Sequence, residues 1–527
     1  MTSDGRPTGP KTRRLPADFM VAIDPSVRAL DGGRTLLGGS PLRMVRLSPA
    51  AARAFKRLEA GEHVGRGAGQ RLARWLLDAG FAHPRPGAAT VTPHQVTVVV
   101  PVRDRPDALR RCLATVAGTC GEVIVVDDAS ERADRTEEIG REFGARVIRR
   151  PVQGGPAAAR NTGLAHCRTD YVAFVDSDCV PSPDWLVSLL PHFRDPAVAA
   201  VAPRIVADHE AADGWLGAYE AVRSPLDLGP AEAPVMPRSR VAYVPAAALV
   251  VRREAAGDGF REDMLVGEDV DFVWRLYQSG WTVRYEPRSQ VAHTHRTELL
   301  AWLARRCDYG SSAAPLALRH PGQVPPVAAS GWSVAAWLLA AARRPLAGLG
   351  LTGLAAALLS RRLPVGEDKL VTAARLAGLG TFWAGRNLAS GLTRAWWPVT
   401  VPLAVVSPTA RRALLAAAVV PALAEWVQSR PRLDPGRFLL ARILDDLAYG
   451  AGLWLGCHRH RTVAPLLPDL TSWPKPGRSR TAASGIASFP PVNVLRAGSD
   501  PAPGPDHARP AAPDPGPPLA SPREESA

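Results

Sequence analysis

Residues 171–178, YVAFVDSD, place an unbroken run of five apolar or aromatic residues directly before two carboxylates. Two earlier stretches are also apolar runs: EVIVVDD at 122–128 likewise ends in two carboxylates, whereas VTVVVPVR at 96–103 ends in an arginine. Helical stretches such as PAAARNTGLAHC at 156–167 lie between such runs. Short apolar runs that end in turn residues are typical of buried strands. Strand and helix alternating at this spacing predict an α/β domain with a parallel sheet and crossover helices.

Acidic residues follow two of these predicted strands. Asp127 and Asp128 end one run, and Asp176 and Asp178 follow another. Open α/β sheets bind ligands at the carboxyl ends of their strands. Two carboxylates at i and i+2 can converge on one divalent cation, which can bridge the oxygens of a diphosphate. For Asp127 and Asp128, hydrogen bonding to a base or ribose and ordinary turn chemistry are both open.

Two further segments are candidates for a nucleotide site. Pro101 and Arg103 close the first strand, where backbone groups and the Arg side chain could frame a nucleotide. Gly154 and Gly155 form a turn before a helix that carries Arg160. Helix N-termini favour anions, and a guanidinium suits phosphate. The structural alternative is that Arg160 only ties its helix to a neighbouring loop.

The segment from Gly267 has helical periodicity and begins with Glu268 and Asp269. Acidic residues in a first turn are stabilised by the helix dipole, which is the structural explanation. The functional interpretation is that Asp269 deprotonates an acceptor hydroxyl while Glu268 positions the acceptor. His293 and His295 follow a strand-like stretch, and either imidazole could complete a metal site.

Composition defines the remaining parts of the 527-residue chain. We expect a flexible N-terminus at 1–14 and a small α+β domain of short strands and two helices at 15–90. The α/β domain spans 95–300, and an apolar, helical region follows at 301–470. Its apolar stretches fall short of the ~18 residues that a spanning helix needs, so association with a membrane surface and soluble helical packing are both open. A Pro-rich tail at 474–527 is predicted to be disordered.

The net charge and the cysteine content of the chain limit the partners and the cellular location that we expect for it. The 64 Lys and Arg exceed the 50 Asp and Glu, for a formal charge of +14. Anionic lipid, anionic small molecules or nucleic acid could explain this balance, but Arg excess in an Ala- and Pro-rich chain is also what coding bias produces, and we expect no nucleic-acid partner. The six cysteines form no CxxC pair, and the basic N-terminus precedes no signal-like apolar run. We therefore expect a cytoplasmic protein, with attachment to the inner membrane face left open.

In order along 95–300, the motifs together resemble a family 2 glycosyltransferase of the GT-A fold, a Rossmann-like domain that binds nucleotide sugars. The matching segments are VTVVVPVRDRP, EVIVVDDAS, GGPAAARNTGL, YVAFVDSDCVPSPDWL, DGF, GEDVDFVWRLYQSG and VAH. The resemblance implies an inverting displacement on a nucleotide-diphosphate sugar, with Asp128 near the base, Asp176 and Asp178 at ribose and metal, and Asp269 as the catalytic base. It also implies Mg²⁺ or Mn²⁺ as the cofactor, and it places His293, in preference to His295, in contact with the metal or the diphosphate. No QxxRW motif follows the acidic helix, which disfavours a processive polysaccharide synthase.

The chain to about residue 470 is similar to the glycosyltransferases of the mycofactocin system. That similarity implies glucose transfer from UDP-glucose onto mycofactocin, a peptide-derived redox cofactor, or its precursor. The first domain also resembles PqqD-like domains, which bind leader peptides. Two alternatives stay open: transfer to a polyprenyl-phosphate or other cell-envelope lipid, and a catalytically silent peptide-binding scaffold. The complete set of carboxylates at 127, 128, 176, 178 and 269 argues against the scaffold.

Overall fold

The structure, a computed structural model, describes residues 13–208, 214–295, 297–366 and 368–471. The predicted tail at 474–527 and the first twelve residues lie outside these ranges. All six cysteines lie inside them, and each is a free thiol.

The N-terminal part consists of two small antiparallel sheets and two helices. Ser48 caps the first helix by accepting the N–H of Ala51 at 3.2 Å, and Pro49 follows at the first helical position. A fifth strand returns after the second helix and pairs with the first strand. The sequence AHPR gave no indication of it, because it contains Pro and lacks apolar alternation. The elements are β1 (Met20–Ile23), β2 (Arg28–Leu30), β3 (Thr35–Gly38), β4 (Arg43–Arg46), α1 (Pro49–Glu59), α2 (Ala68–Asp78) and β5 (Ala82–Arg85).

A nine-stranded mixed sheet forms the centre of the described chain. Its strands are β6 (Val96–Val102), β7 (Glu122–Asp127), β8 (Arg146–Arg149), β9 (Tyr171–Val175), β10 (Cys179–Pro181), β11 (Val198–Ala207), β12 (Ala233–Val235), β13 (Ala248–Arg252) and β14 (Thr282–His293). The order is β10-β14-β11-β13-β9-β6-β7-β8, with β12 beside β14. In β6, Val98 and Val100 pack into the core on one face and Val99 into the core on the other. Burial of both faces explains the continuous apolar runs.

The prediction of a parallel sheet is correct for only part of this sheet. Strands β8, β7, β6 and β9 are parallel, but β13 runs antiparallel between β9 and β11. The sheet is therefore mixed. Its helices are α3 (Pro106–Val116), α4 (Ala133–Glu142), α5 (Gly155–His166), α6 (Trp185–Leu189), α7 (Gly214–Arg223), α8 (Arg253–Ala256) and α9 (Glu268–Gln278).

Helices make up most of the C-terminal part. Helix α10 (Leu299–Ser311) packs closely on helix α17 (Pro435–Arg459), since a Cβ at Gly452 would overlap the backbone of Cys307. Within the described ranges, each helix is too short or too polar to cross a lipid bilayer. The elements are α10 (Leu299–Ser311), α11 (Ala313–Arg319), β15 (Ala328–Ser330), α12 (Gly331–Ala341), α13 (Pro345–Ser360), α14 (Lys369–Ser390), α15 (Trp397–Val406), α16 (Pro408–Ser429), α17 (Pro435–Arg459) and β16 (Asp469–Thr471).

Candidate active site

Asp128, at the end of β7, holds the turn that precedes α5. Its Oδ1 accepts hydrogen bonds from the N–H of Gly154 and the Nε of Arg150, both at 2.9 Å, and its Oδ2 accepts the N–H of Gly155 at 2.7 Å. Gly155 has a φ of +81°, a region that favours glycine. A carboxylate at this helix N-terminus is also stabilised by the helix dipole. Its part in binding a nucleobase stays a prediction.

The other residues predicted near the nucleotide differ in accessibility. Asp127 is 1% exposed, and its Oδ1 accepts the N–H of Ser130 at 2.9 Å. Pro101 is half-buried on β6, beside β7. The guanidinium of Arg103 is exposed and lies 3.5 Å from Asp104. Of the three predicted residues, Arg103 has the most accessible polar group.

Arg160 joins the end of β9 to the start of α9. Its Nη2 donates to Asp176 Oδ1 at 2.7 Å, and its Nη1 donates to Glu268 Oε1 at 2.8 Å. The side chain is only 4% exposed. This arrangement shows a bridging role for Arg160, while the predicted contact with a phosphate stays a prediction.

Glu268 and Asp269 form the first turn of α9. Asp269 Oδ1 accepts the N–H of Val270 at 2.8 Å, and Oδ2 accepts the N–H of Ala246 at 3.3 Å. Burial raises the pKa of both carboxyl groups, while the positive charge of Arg160 opposes that rise. The negative charge of Asp269 raises the pKa of Glu268 further. A carboxylate with a raised pKa is a better proton acceptor, as a general base requires.

Asp178 and His293 are brought together by strand pairing. In the antiparallel pair of β10 and β14, Cys179 lies opposite His293. His293 Nε2 is 3.5 Å from Asp178 Oδ1, and Asp178 Oδ2 accepts the Nη1 of Arg105 at 2.6 Å. Asp178 and His293 therefore lie together at the edge of the sheet that contains the carboxyl end of β9.

The predicted metal ligands Asp176, Asp178 and His293 do not form one cluster. The carboxylate of Asp176 faces Arg160, and the described residues contain no group of three His, Cys, Asp or Glu side chains that could hold a metal ion. A carboxylate and an imidazole still fit a divalent cation. Mg²⁺ in nucleotide sites is often held by one or two carboxylates together with substrate phosphates. The donor set of Asp178 and His293 therefore suits a metal whose other ligands come from the substrate.

His295 lies behind His293. Its Nδ1 is 3.3 Å from the Nδ1 of His293 and 3.6 Å from Oε2 of Glu220. Burial, with the neighbouring charges of His293 and Arg306, lowers the pKa of His295 to about 3. The ring is therefore neutral. Of the two histidines, His293 is the one beside Asp178.

A cavity of about 70 Å³ adjoins Asp178 and His293. Helix α10 supplies Arg305 and Tyr309 to its lining, which the sequence analysis missed. Arg305 forms no ion pair with any residue that the structure describes. The change of composition after about residue 296 led us to end the domain at 300, so α10 was assigned to another region. The signal available was the pair of arginines in LARRCDYG at 303–310, which follows the two histidines after a short segment.

Sequence comparison with known proteins assigns the family. The model of the family "Glycosyl transferase family 2" matches residues 97–256. The chain is 44% identical over 472 residues to the pre-mycofactocin glycosyltransferase of Mycobacterium tuberculosis (strain CDC 1551 / Oshkosh), covering 87% of this chain and 99% of that protein. It is 35% identical over 101 residues to glycosyltransferase AglE of Haloferax volcanii, covering 17% of this chain and 33% of that protein.

Among solved structures, the mannosyltransferase PcManGT from Pyrobaculum calidifontis, in complex with GDP-Man and Mn²⁺, is 18% identical. The match covers 69% of this chain and 89% of that chain, and its TM-score of 0.38 is too low to add to the assignment. The sequence match over nearly the whole of the M. tuberculosis protein is sufficient. It confirms the predicted family, and with it the prediction of an enzyme. The chain belongs to the pre-mycofactocin glycosyltransferases, a group within glycosyl transferase family 2.

Proposed function

We propose that the enzyme transfers glucose from UDP-glucose to a hydroxyl group of mycofactocin or its peptide-derived precursor, with inversion at the anomeric carbon. The name of the M. tuberculosis relative supports a pre-mycofactocin acceptor. The choice of UDP-glucose rests on the sequence resemblance. Family membership supports a nucleotide-sugar donor.

The observation that carries the mechanism is the Arg160 bridge. By donating to Asp176 at 2.7 Å and to Glu268 at 2.8 Å, Arg160 fixes the start of α9 against the strand end that bears the DxD motif. Asp269, the residue after Glu268, is thereby held at the same edge of the sheet. A base fixed beside the donor reacts within a bound complex rather than by a chance encounter.

In the proposed reaction, Asp269 accepts the proton of the acceptor hydroxyl. The hydroxyl oxygen forms a bond to the anomeric carbon while the bond from that carbon to the diphosphate oxygen breaks. The electron pair of the broken bond leaves with UDP. A single displacement of this kind inverts the anomeric configuration, and Glu268 helps to position the acceptor.

Asp178 and His293 are the residues that would hold Mg²⁺ or Mn²⁺. Such a cation, when bound, neutralises negative charge on the leaving diphosphate. Arg305, which lines the adjoining cavity, places a second positive charge near the same group.

A donor screen with purified protein tests this proposal. Nucleotide release would be measured with several nucleotide sugars, Mg²⁺ or Mn²⁺, and either the peptide-derived precursor or a polyprenyl phosphate. We expect UDP release that depends on UDP-glucose and on the peptide-derived acceptor, and a β-glucoside by NMR from the α-linked donor. Transfer only to polyprenyl phosphate would favour the lipid alternative, and an α-glucoside would contradict inversion.

We also propose that the enzyme works at the cytoplasmic face of the membrane, attached through its C-terminal helices. Large apolar side chains are exposed on α13 to α16, including Leu346 at 81% and Val406 at 78%. Residues 331–430 contain eleven Arg and Lys but three Asp and Glu. Apolar side chains beside cationic ones suit the boundary between acyl chains and anionic headgroups.

A further inference from the structure

The Nδ1 nitrogens of His293 and His295 are 3.3 Å apart, so the same atom of each ring forms the contact. A neutral imidazole carries one N–H and one lone pair. A hydrogen bond between the two nitrogens therefore needs the proton on the Nδ1 of one ring and the lone pair on the Nδ1 of the other. Which ring carries the proton on Nδ1 decides whether the Nε2 atom of each ring is a donor or an acceptor.

The two Nε2 atoms have different surroundings. That of His293 is 3.5 Å from Asp178 Oδ1. That of His295 is buried and has no hydrogen-bond partner among the described residues, although the ring lines the cavity next to Asp178. Burying a polar atom without a partner is unfavourable. The nitrogen itself is buried, so the contact that sets the orientation of this ring is the one that its Nδ1 makes with His293.

Two arrangements of the protons on a pair of neutral imidazoles would form this hydrogen bond. Without a metal, the carboxylate of Glu220, 3.6 Å from His295 Nδ1, favours a proton on that nitrogen. His293 then carries its proton on Nε2, facing Asp178. If His293 Nε2 binds a cation, it must offer its lone pair, so its proton lies on Nδ1 and is donated to His295 Nδ1. The proton of His295 then lies on Nε2.

We infer that His295 is a positioning residue: when a metal is bound, its Nδ1 accepts the Nδ1–H of His293 and so holds His293 in the metal-binding tautomer. This inference rests on the proposed function, which supplies the metal and the diphosphate. Arg305 lines the same cavity and forms no ion pair within the described ranges, so an anion there meets a positive charge. Residues behind a metal-binding imidazole commonly set its tautomer in this way.

Mn²⁺ affinity in the presence of UDP, measured by EPR of the free ion, tests the inference with the full chain. We expect His295→Phe to weaken Mn²⁺ binding by about 10- to 100-fold, the usual effect of losing such a partner. His295→Asn should retain most of that affinity, because its amide oxygen can accept the Nδ1–H of His293. The exposed His166, changed to Asn, is the matched control. Rescue by Asn separates a hydrogen-bonding role from simple packing.

The possible results distinguish a failure of this inference from a failure of the proposed function. If the wild type binds Mn²⁺ and His295→Phe binds it equally well, the role of His295 is wrong and the proposed metal site stands. If the wild type binds UDP without any metal, the metal assignment fails and this inference fails with it. NMR of the ¹⁵N-histidine-labelled wild-type enzyme is a second measurement. It reports which ring nitrogen carries the proton and requires no substitution. We expect His295 to carry its proton on Nε2 when Mg²⁺ and UDP are added, and a proton kept on Nδ1 would overturn the inference.

Discussion

Arg160 of α5 and Glu268 of α9 are joined by a hydrogen bond of 2.8 Å between side chains that are 4% and 8% exposed. The two residues are 108 positions apart in the chain. The same guanidinium contacts Asp176, so one buried cation connects the end of β9 with the first turn of α9.

Removal of that cation should destabilise the enzyme. Arg160→Ala leaves two carboxylates without their counter-charge, and breaking a buried ion pair in this way costs about 3–5 kcal/mol. Urea unfolding followed by circular dichroism would measure the change. The control is Arg375→Ala, an exposed position on α14 that should change stability by less than about 0.5 kcal/mol. Equal stability of the two variants would contradict a structural role for the bridge.

Asp178→Ala should abolish metal-dependent donor binding and sugar transfer while the fold is retained. Its carboxylate lies beside His293 at the edge of the sheet, where it can hold a cation that neutralises the diphosphate. Calorimetric titration with UDP-glucose, with and without a chelator, measures the effect. Donor binding that is insensitive to both the substitution and the chelator would remove Asp178 from the metal site.

The pH dependence should follow the raised pKa of the carboxyl groups on α9. A raised pKa means that the protonated, inactive form of Asp269 persists to higher pH, so kcat/KM should rise with pH through a value above the ordinary ~3.9 of an aspartate. The charge of Asp176 contributes to the rise, so Asp176→Asn should move the acid limb to lower pH. A pH–rate profile of both enzymes is the measurement. An acid limb near 4 in the wild type would contradict the assignment of a buried base.

Attachment to anionic lipid should depend on salt. In flotation assays, we expect binding to vesicles that contain phosphatidylglycerol but weaker binding to neutral vesicles. Exposed charges are screened beyond ~10 Å at 0.1 M ionic strength, so added salt should release part of the bound protein. Arg411→Glu with Arg412→Glu, two exposed residues at the start of α16, should weaken the attachment. Protein that never floats with anionic vesicles would refute the proposed attachment.

The sequence was informative where chemistry is local and less so where it depends on distant packing. The apolar runs and the acidic residues that follow them predicted the strand ends at Asp128 and Asp176. The antiparallel direction of β13 was not predicted, because an apolar run has the same form in either direction. The two partners of Arg160, Asp176 and Glu268, were also missed, since Glu268 lies 108 positions from Arg160 in the sequence. Arg305 was missed because α10 seemed to begin a different region.

The most direct test of the account is the turnover of Asp269→Asn at saturating acceptor. Loss of a general base lowers the rate by ~10²-fold or more, so we expect that reduction in kcat with donor affinity unchanged. Asp134→Asn, an exposed position on α4, is the control and should match the wild type. Wild-type turnover of Asp269→Asn would contradict the account and would place the base at Glu268 or Asp271. Asp271 is the weaker of these alternatives, because hydrogen bonds from His320 and Arg275 lower its pKa.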